Sequence, residues 1–490
     1  MDLSTLQSTL ARLAGARVLV VGDVMIDRFV YGDVTRVSAE APIPVLAHAQ
    51  ESAMLGGAGN VARNIASLGG CARLVGLIGN DTAGAEIEGL LAAAPGIEGA
   101  LVPDRYRTTT VKMRFVAAGQ QLLRVDTETL AACAGAAEAA LIAALDHAQD
   151  ETHARAVLVS DYGKGVVTPA VIQAALAAAR RCRAILVVDS KARGFAHYGA
   201  VDVVKPNALE LSRATGLSTE TDAEIETALA AALHSCQAGA ILVTRAAKGM
   251  SLAVRGAPVR HFSRPAPEVF DTAGAGDTVL AVLGVALAAG ARLDDAVELA
   301  LIASHVVVRK AGVAVATPDE VLEDELAAHR SPLEHKIATP ERMSAEAERW
   351  RARGLRVGFT NGCFDILHPG HIAYLSQAKS WCDRLIVGLN SDASIRALKG
   401  PGRPVNPLEA RALVLAALSV VDLVASFDEP TPIELIKAAR PDLLVKGADY
   451  SLDGVVGRSE VESWGGEVRL AAFVEGHSTT STLQRMSTPS

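Results

Sequence analysis

The sequence predicts an α/β protein of two doubly wound units, the second smaller than the first, and three observations carry that expectation. Short β-branched apolar runs recur with helical patterns between them, as parallel βαβ units require. The runs are almost continuously apolar, so each sheet is expected to be covered on both faces. The cycle lapses once, in a charged, proline-bearing stretch after Gly312, and restarts at Leu355.

Taken in order, Arg17–Val21 is the first strand and ends in Gly22-Asp23. Further strands are expected at 72–78, 156–160, 184–189, 201–204 and 241–244, with helices at 58–68, 136–147, 169–181 and 221–234. Three strands end in polar residues, at Ser160-Asp161, Asp189-Ser190 and Lys205-Pro206-Asn207. Ligands of open α/β sheets bind off the carboxyl ends of strands, so these are site candidates by position. The segment 104–115 breaks the pattern: it is polar and β-forming, with Thr110, Lys112 and Arg114 alternating on one face. It reads as part of a small accessory sheet over the site. Pro318, Pro332 and Pro340 mark a linker. Beyond it, strands are expected at 355–359, 385–389, 422–424, 443–445 and 468–471. The expected division is residues 1–315, a linker 316–350 and a second domain 351–490.

Composition bounds the function. The 490 residues exceed what one core supports, and half are apolar with 21% charged, as in soluble globular proteins. A formal net charge of −8 argues against nucleic acid or a membrane as partner, while leaving room for a local basic pocket for small phosphorylated compounds. The cysteines are scattered with no C-x-x-C pair, which fits a reducing cytoplasm rather than disulfides or a zinc site. No signal-peptide pattern opens the chain, and the longest uncharged apolar run, Thr278–Ala291, is too short to span a bilayer.

The chemistry concentrates in two stretches. In the first, Asp271-Thr-Ala-Gly-Ala-Gly-Asp-Thr278, two glycines precede an acid and a long alanine-rich helical run. Bare backbone N–H groups at a helix N-terminus stabilise an anion, and Asp277 beside them can take a proton from whatever attacks it. Alone, such a loop is also an ordinary acidic helix start. Gly56-Gly-Ala-Gly-Asn60 is a second glycine-rich turn opening a helix. Asn207-x-x-Glu210 places an amide and a carboxylate one turn apart, suited to water-linked Mg²⁺ near phosphates. Thr244 with Gly249 closes a strand-to-loop segment ahead of the final motif.

As a set, Asp23, Asp27, Gly56–Asn60, Asn207-x-x-Glu210 and Asp271–Asp277 resemble the ribokinase-type carbohydrate kinases over roughly residues 15–315. That resemblance implies a ribokinase-like doubly wound domain with the small accessory β-sheet, and an anion hole from Gly274, Ala275 and Gly276 with Asp277 as base. It also implies a sugar pocket at Asp23, Asp27, Gly57 and Asn60, and ATP contacts at Asn207, Ala208, Leu209, Glu210, Thr244 and Gly249. A dinucleotide reading of Gly57-Ala-Gly-Asn-Val-Ala62, with Asp81 about twenty residues on, competes with it. It requires a strand ending at the first glycine, and 51–55 is a poor strand. No G-x-x-x-x-G-K-[ST] occurs, which excludes a P-loop kinase.

The second stretch, Thr360-Asn-Gly-Cys-Phe-Asp-Ile-Leu-His-Pro-Gly-His371, follows a strand and opens a helix with Pro369 in its first turn. His368 and His371 are one turn apart, so both imidazoles reach one phosphate. No third ligand of the H-E-x-x-H kind accompanies them, and no metal site is expected. The pattern G-x-F-D-x-x-H-x-G-H resembles the nucleotidyltransferase superfamily that includes glycerol-phosphate cytidylyltransferases, and implies a smaller Rossmann-like domain. In that chemistry an acceptor phosphate attacks the nucleotide α-phosphate, and the two histidines stabilise the growing charge. Nucleotide contacts are implied at Thr360, Asn361, Phe364 and Lys446, within Lys446-Gly-Ala-Asp449, and at 476–480. Arg403 is a further phosphate candidate.

The two halves in this order resemble the bacterial family that joins heptose 7-phosphate kinase to heptose 1-phosphate adenylyltransferase. The resemblance implies ATP at both sites, Mg²⁺, phosphosugar substrates, a cytoplasmic location and a homodimer formed through the accessory sheet. A substrate already phosphorylated needs a cationic grip, for which Lys112, Arg114 and Arg124, with Arg105 and Arg107, are the candidates and Lys164 and Lys191 the alternatives.

Overall fold

The structure, a computed structural model, describes the chain except residues 119, 192–193, 266–268, 330–332, 449–450 and 472–490. Two compact units divide it, Met1–Leu326 and Ala327–Ser490.

The first unit is built on a nine-stranded sheet in the order Arg260–Phe262, Met250–Val254, Ala240–Thr244, Val203–Lys205, Ile185–Asp189, Ala156–Ser160, Arg17–Gly22, Cys71–Gly79, Ile97–Asp104. All neighbours are parallel except the two strands after Thr244, which pair antiparallel at the edge. Alternate residues face two separate cores: Val18 and Val20 lie in one, Leu19 and Val21 in the other. That double burial is why the runs are apolar without alternation. Arg17–Gly22 pairs with Cys71–Gly79 on one side and Ala156–Ser160 on the other. The connections therefore reverse direction beside Gly22 and Ser160, opening a crevice at those carboxyl ends. Helix Ala275–Ala288 is buried on all sides from Asp277 to Leu287, as expected of a helix without a polar face.

The accessory sheet has four strands in the order Pro44–Gly57, Val24–Val37, Thr110–Ala117, Gln120–Thr127. Only part of it was expected. Residues 104–109 do not belong to it, because Asp104 ends the edge strand of the main sheet. Val24–Val37 and Pro44–Gly57 are long antiparallel partners that polar residues obscure in the sequence. A strand does end at Gly57, contrary to the ground on which the dinucleotide motif was set aside. That strand belongs to the antiparallel accessory sheet, so no βαβ unit surrounds the glycines.

The second unit carries a six-stranded, wholly parallel sheet in the order Ile337–Ala338, Leu423–Phe427, Arg384–Asn390, Val357–Gly362, Leu443–Gly447, Glu467–Ala471. Its reversal point lies between Val357–Gly362 and Leu443–Gly447. The stretch expected as a linker is folded where described. Helix Pro318–His329 packs Val321 into the first unit's core, and Arg264 bonds its Asp324 and Glu325. Ile337–Ala338 and helix Pro340–Ala352 belong to the second unit, with Met343 and Ala347 fully buried. Sparse apolar residues on short helices hid these contacts from periodicity.

Candidate active sites

In the first unit, Asp277 sits in the first turn of helix Ala275–Ala288, and its carboxylate is 3% exposed. Asn60 Nδ2 donates to one oxygen at 2.9 Å and the Tyr162 hydroxyl to the other at 2.5 Å. Burial pushes the Asp277 carboxyl up to about 6, partly offset by those two donors. Gly274 caps the helix at φ +80°, where a Cβ would stand 2.9 Å from Asn60 Nδ2. The N–H groups of Gly274, Gly276 and Asp277 find no acceptor among the described residues, whereas Ala275 reaches the Thr272 carbonyl at 3.3 Å. A carboxylate thus stands beside free backbone donors at a helix N-terminus, the arrangement the glycines and acid predict.

Asn60 is held by the turn before it. Gly57, at φ +55°, has no room for a side chain, since a Cβ would meet the Asp23 carbonyl at 2.4 Å. Asn60 is fully buried, and its Oδ1 accepts from the Arg63 guanidinium at 3.2 Å. Asp23 lies at the reversal point but turns its carboxylate to backbone, accepting from Tyr162 N–H at 2.7 Å, Lys164 at 3.2 Å and Val166 at 3.3 Å. These bonds tie Asp23 to the loop that carries Tyr162. Asp27 pairs with Arg114 across the accessory sheet, and Lys112 stands over the Tyr162 ring, 4.7 Å from its centroid. Burial lowers the Lys112 ammonium from its ordinary range. Lys191 lies 5.5 Å from the centroid of the same ring.

Other expected residues are placed differently. Arg124 is half exposed and tied to Asp126 at 2.9 Å. Arg107 spends its guanidinium on the carbonyls of Thr129, Lys164 and Ala131, and Arg105 stacks on exposed Tyr106. Asn207 and Glu210 form a capping box: Glu210 N–H donates to Asn207 Oδ1 at 2.8 Å, and Asn207 N–H to Glu210 Oε2 at 2.7 Å. The other Glu210 oxygen accepts from Lys191 at 2.5 Å. N-x-x-E before a helix spells this motif directly. Ala208 and exposed Leu209 form the first turn of that helix. Thr244 ends its strand bridged to Asn207, and Gly249 lies in the turn before Met250–Val254. Among the described residues no group of three His, Cys, Asp or Glu could hold a metal.

Sequence reasoning passed over Tyr162, and marked Asp189 and Lys205 by position without foreseeing that they form a buried pair 3.0 Å apart. A Cβ on Gly276 would lie 3.8 Å from Lys205 Nζ, so this ammonium stands beside the free N–H groups. Tyr162 too follows a strand carboxyl end, the one signal that could have singled it out.

In the second unit His368 caps helix Pro369–Ser380 and stacks on His371, with ring centroids 3.8 Å apart. His371 Nδ1 is buried with no hydrogen-bond partner among the described residues, and burial together with His368 and Lys399 pushes the ring down to about 4. It is neutral at pH 7. The Phe364 ring lies 5.3 Å from it. A cavity of about 540 Å³ opens here, walled by Asn361, Phe364, His371, Lys399, Arg403 and Lys446 among others. Lys446 bonds Asn361 across the reversal point, while buried Thr360 meets Tyr374 at 2.6 Å. Arg403 is tethered to Asp365, which also accepts the N–H groups of Val405 at 2.8 Å and Asn406 at 3.0 Å. Asp449 and residues 476–480 lie outside the described residues.

Both halves have known relatives. The pfkB family of carbohydrate kinases matches residues 16–320, and the cytidylyltransferase-like family residues 359–489. The chain is 52% identical to the bifunctional protein HldE of Caulobacter vibrioides, over 96% of this chain and 97% of that one. It is 49% identical to the Hyphomonas neptunium protein of the same name, over 99% of both. Among solved structures, ribokinase of Arabidopsis thaliana complexed with ribose and ATP aligns with a TM-score of 0.51 at 21% identity. Phosphofructokinase-2 of Escherichia coli with potassium aligns at 0.53 and 21%; each alignment covers 65% of this chain and all of the other. These two likenesses establish the ribokinase-like fold of the first unit.

Proposed function

The chain belongs to the bifunctional HldE family, a sugar kinase joined to a nucleotidyltransferase, and from that premise we propose how its two sites divide ADP-heptose synthesis. The first unit transfers the γ-phosphoryl group of ATP to the anomeric hydroxyl of D-glycero-β-D-manno-heptose 7-phosphate. A separate phosphatase removes the 7-phosphate. The second unit joins the 1-phosphate to AMP from ATP and releases pyrophosphate, giving the ADP-heptose used in the lipopolysaccharide inner core. We place the boundary of the two activities in the stretch 316–350.

The observation that carries the kinase reading is Asp277, held by Asn60 and Tyr162 beside free N–H groups. A carboxyl near 6 is largely ionised at neutral pH yet basic enough to accept the sugar proton as attack proceeds. The N–H groups of Gly274, Gly276 and Asp277, with Lys205, hold the phosphoryl group in transfer. Lys112 and Arg114 grip the 7-phosphate. Mg²⁺ arrives as part of the ATP complex, since Glu210 is already engaged by Asn207 and Lys191.

In the second site the attacking phosphate is already anionic and needs no base. Neutral His371, with His368, Lys446 and Lys399, stabilises charge on the α-phosphate. ATP or CTP offered with each heptose phosphate, with ADP and pyrophosphate followed separately, tests the whole reading. Pyrophosphate from CTP but not ATP would overturn the adenylyl assignment.

We further propose a cytoplasmic homodimer through the accessory sheet. In support, its edge strand Gln120–Thr127 is exposed throughout and presents Leu122, Leu123 and Val125. Leu123→Glu should halve the mass measured by light scattering; an unchanged mass removes this interface. No helix among the described residues is long and apolar enough to cross a membrane.

A further inference from the structure

The first unit has a second cationic concavity, at the opposite ends of its strands. Arg17 opens its strand, Arg155 immediately precedes Ala156–Ser160, and Cys182 closes the helix leading into Ile185–Asp189. With Arg12, His153 and Arg181 they line a cavity of about 640 Å³ in which four lining residues are arginine and none is acidic. Asp277, by contrast, stands at the carboxyl ends. Helix Ala275–Ala288 joins the two places, its N-terminus at the anion hole and Ala288 and Ala289 in the cavity wall.

Of the four arginines Arg181 alone meets carboxylates among the described residues. Arg181 is paired with Asp146 at 3.0 Å and Asp150 at 3.4 Å, and Glu151 nearby is taken by Arg73 at 3.0 Å. Among the described residues Arg12 reaches the Ser8 carbonyl and the Thr9 hydroxyl. Arg12, Arg17 and Arg155 meet no carboxylate among the described residues, in a chain whose net charge is −8. The C-terminus of helix Ala275–Ala288 offers only about half an elementary charge against them. Like charges gathered in one concavity raise a positive potential that an anion relieves. Guanidinium forks match phosphate oxygens two at a time, and the volume lies within the roughly 300–1,000 Å³ of small-molecule sites.

We propose that this groove is a polyphosphate-binding site separate from both active sites, taking inorganic pyrophosphate or the phosphate chain of a nucleotide. The half-buried Cys182 thiol in its wall is a local reporter, and Cys363 in the second unit's cavity reports on that active site. The full chain is alkylated with a maleimide alone, with pyrophosphate and with ATP, and each cysteine is quantified by peptide mass spectrometry. At ligand about ten times Kd, occupancy slows Cys182 labelling about tenfold by mass action. In Arg17→Ser/Arg155→Ser the ligand concentration needed rises roughly 100-fold, about tenfold per charged contact, while Cys363 protection stays as in the parent. Equal protection by the two ligands assigns the site to polyphosphate alone; stronger protection by ATP assigns it to a nucleotide. Unchanged Cys182 labelling with both ligands, or protection that survives in the double variant, overturns the proposal. Should the serine variant melt early, Arg17→Lys/Arg155→Lys is read instead. There the ammonium lacks the planar fork that meets two phosphate oxygens in parallel, and weakened protection is still expected; undiminished protection overturns the proposal.

Discussion

The two active sites share a plan and differ in the sign of one physical effect. Each lies where a parallel sheet reverses direction, and each ends a loop at a helix N-terminus. Burial acts on both by penalising the charged form. It lifts Asp277 to about 6, which turns a weak base into one matched to neutral pH. It drops His371 to about 4, which keeps the imidazole uncharged and able to donate from one nitrogen. On the proposed reading, the same desolvation serves a proton acceptor in one unit and a neutral hydrogen-bond donor in the other. The difference follows from the attacking groups: a sugar hydroxyl must lose a proton, a phosphate need not.

The sharpest way to break this contrast is to remove each group in turn. Asp277→Asn should lower phosphorylation by about 10²–10⁴-fold, the range for a general base, and leave nucleotidyl transfer intact. His371→Ala should lower adenylyl transfer by about 10²–10³-fold with phosphorylation unaffected. Loss of both activities from either change, in protein with an unaltered melting curve, would end the idea of independent sites.

Next in size is Tyr162→Phe, which removes a hydrogen bond to ionised Asp277. Kinase kcat should fall roughly tenfold, and the acidic limb of its pH profile should move upward because the carboxylate loses a donor. A limb that stays in place would deny that Tyr162 acts through Asp277.

The unsubstituted protein sharpens the comparison through pH. Protonation of Asp277 should cut kinase activity as pH falls through about 6. Adenylyl transfer should show no limb from His371 there, since that ring protonates only near 4. For stability the signs also oppose. The raised Asp277 carboxyl contributes stability below about 3.8 that is lost as pH rises through 6. The lowered His371 ring contributes stability above about 6.5 that is lost as pH falls through 4. The smallest effect expected is from Asp365→Asn. Hydrogen bonds and the Arg403 ion pair hold this buried carboxyl below its usual range despite burial. Loosening the loop 403–406 should raise KM for the nucleotide several-fold, on the order of 1 kcal/mol, with little change in kcat; an altered kcat with unchanged KM would count against a positioning role.

The local motifs were legible because their physics is local. Gly274 before Asp277, and His368-Pro-Gly-His371 after a strand, each specify a turn and a helix start within a few residues. Strands with both faces buried announce themselves by composition alone, and two such cycles give the two α/β units. Contacts formed at long range were not legible. Val24–Val37 and Pro44–Gly57, interrupted by charged residues, are strands because each pairs along most of its length with the other, a partner no periodicity reveals. Asp23, expected in the sugar pocket, accepts three backbone N–H groups from 162–166, a contact formed at long range. Arg107 looked like a phosphate grip and clamps carbonyls instead.

By itself, then, the sequence determined which turns present free N–H groups and which acid and imidazoles stand beside them, since neighbours along the chain decide that. Tertiary structure decided which charges those groups carry. The Asp277 carboxyl rises and the His371 ring falls because distant segments exclude water from them, and Tyr162 and Asn60 reach Asp277 across 115 and 217 residues of chain. Desolvation is a property of the packed surroundings, and no stretch of sequence contains its own surroundings.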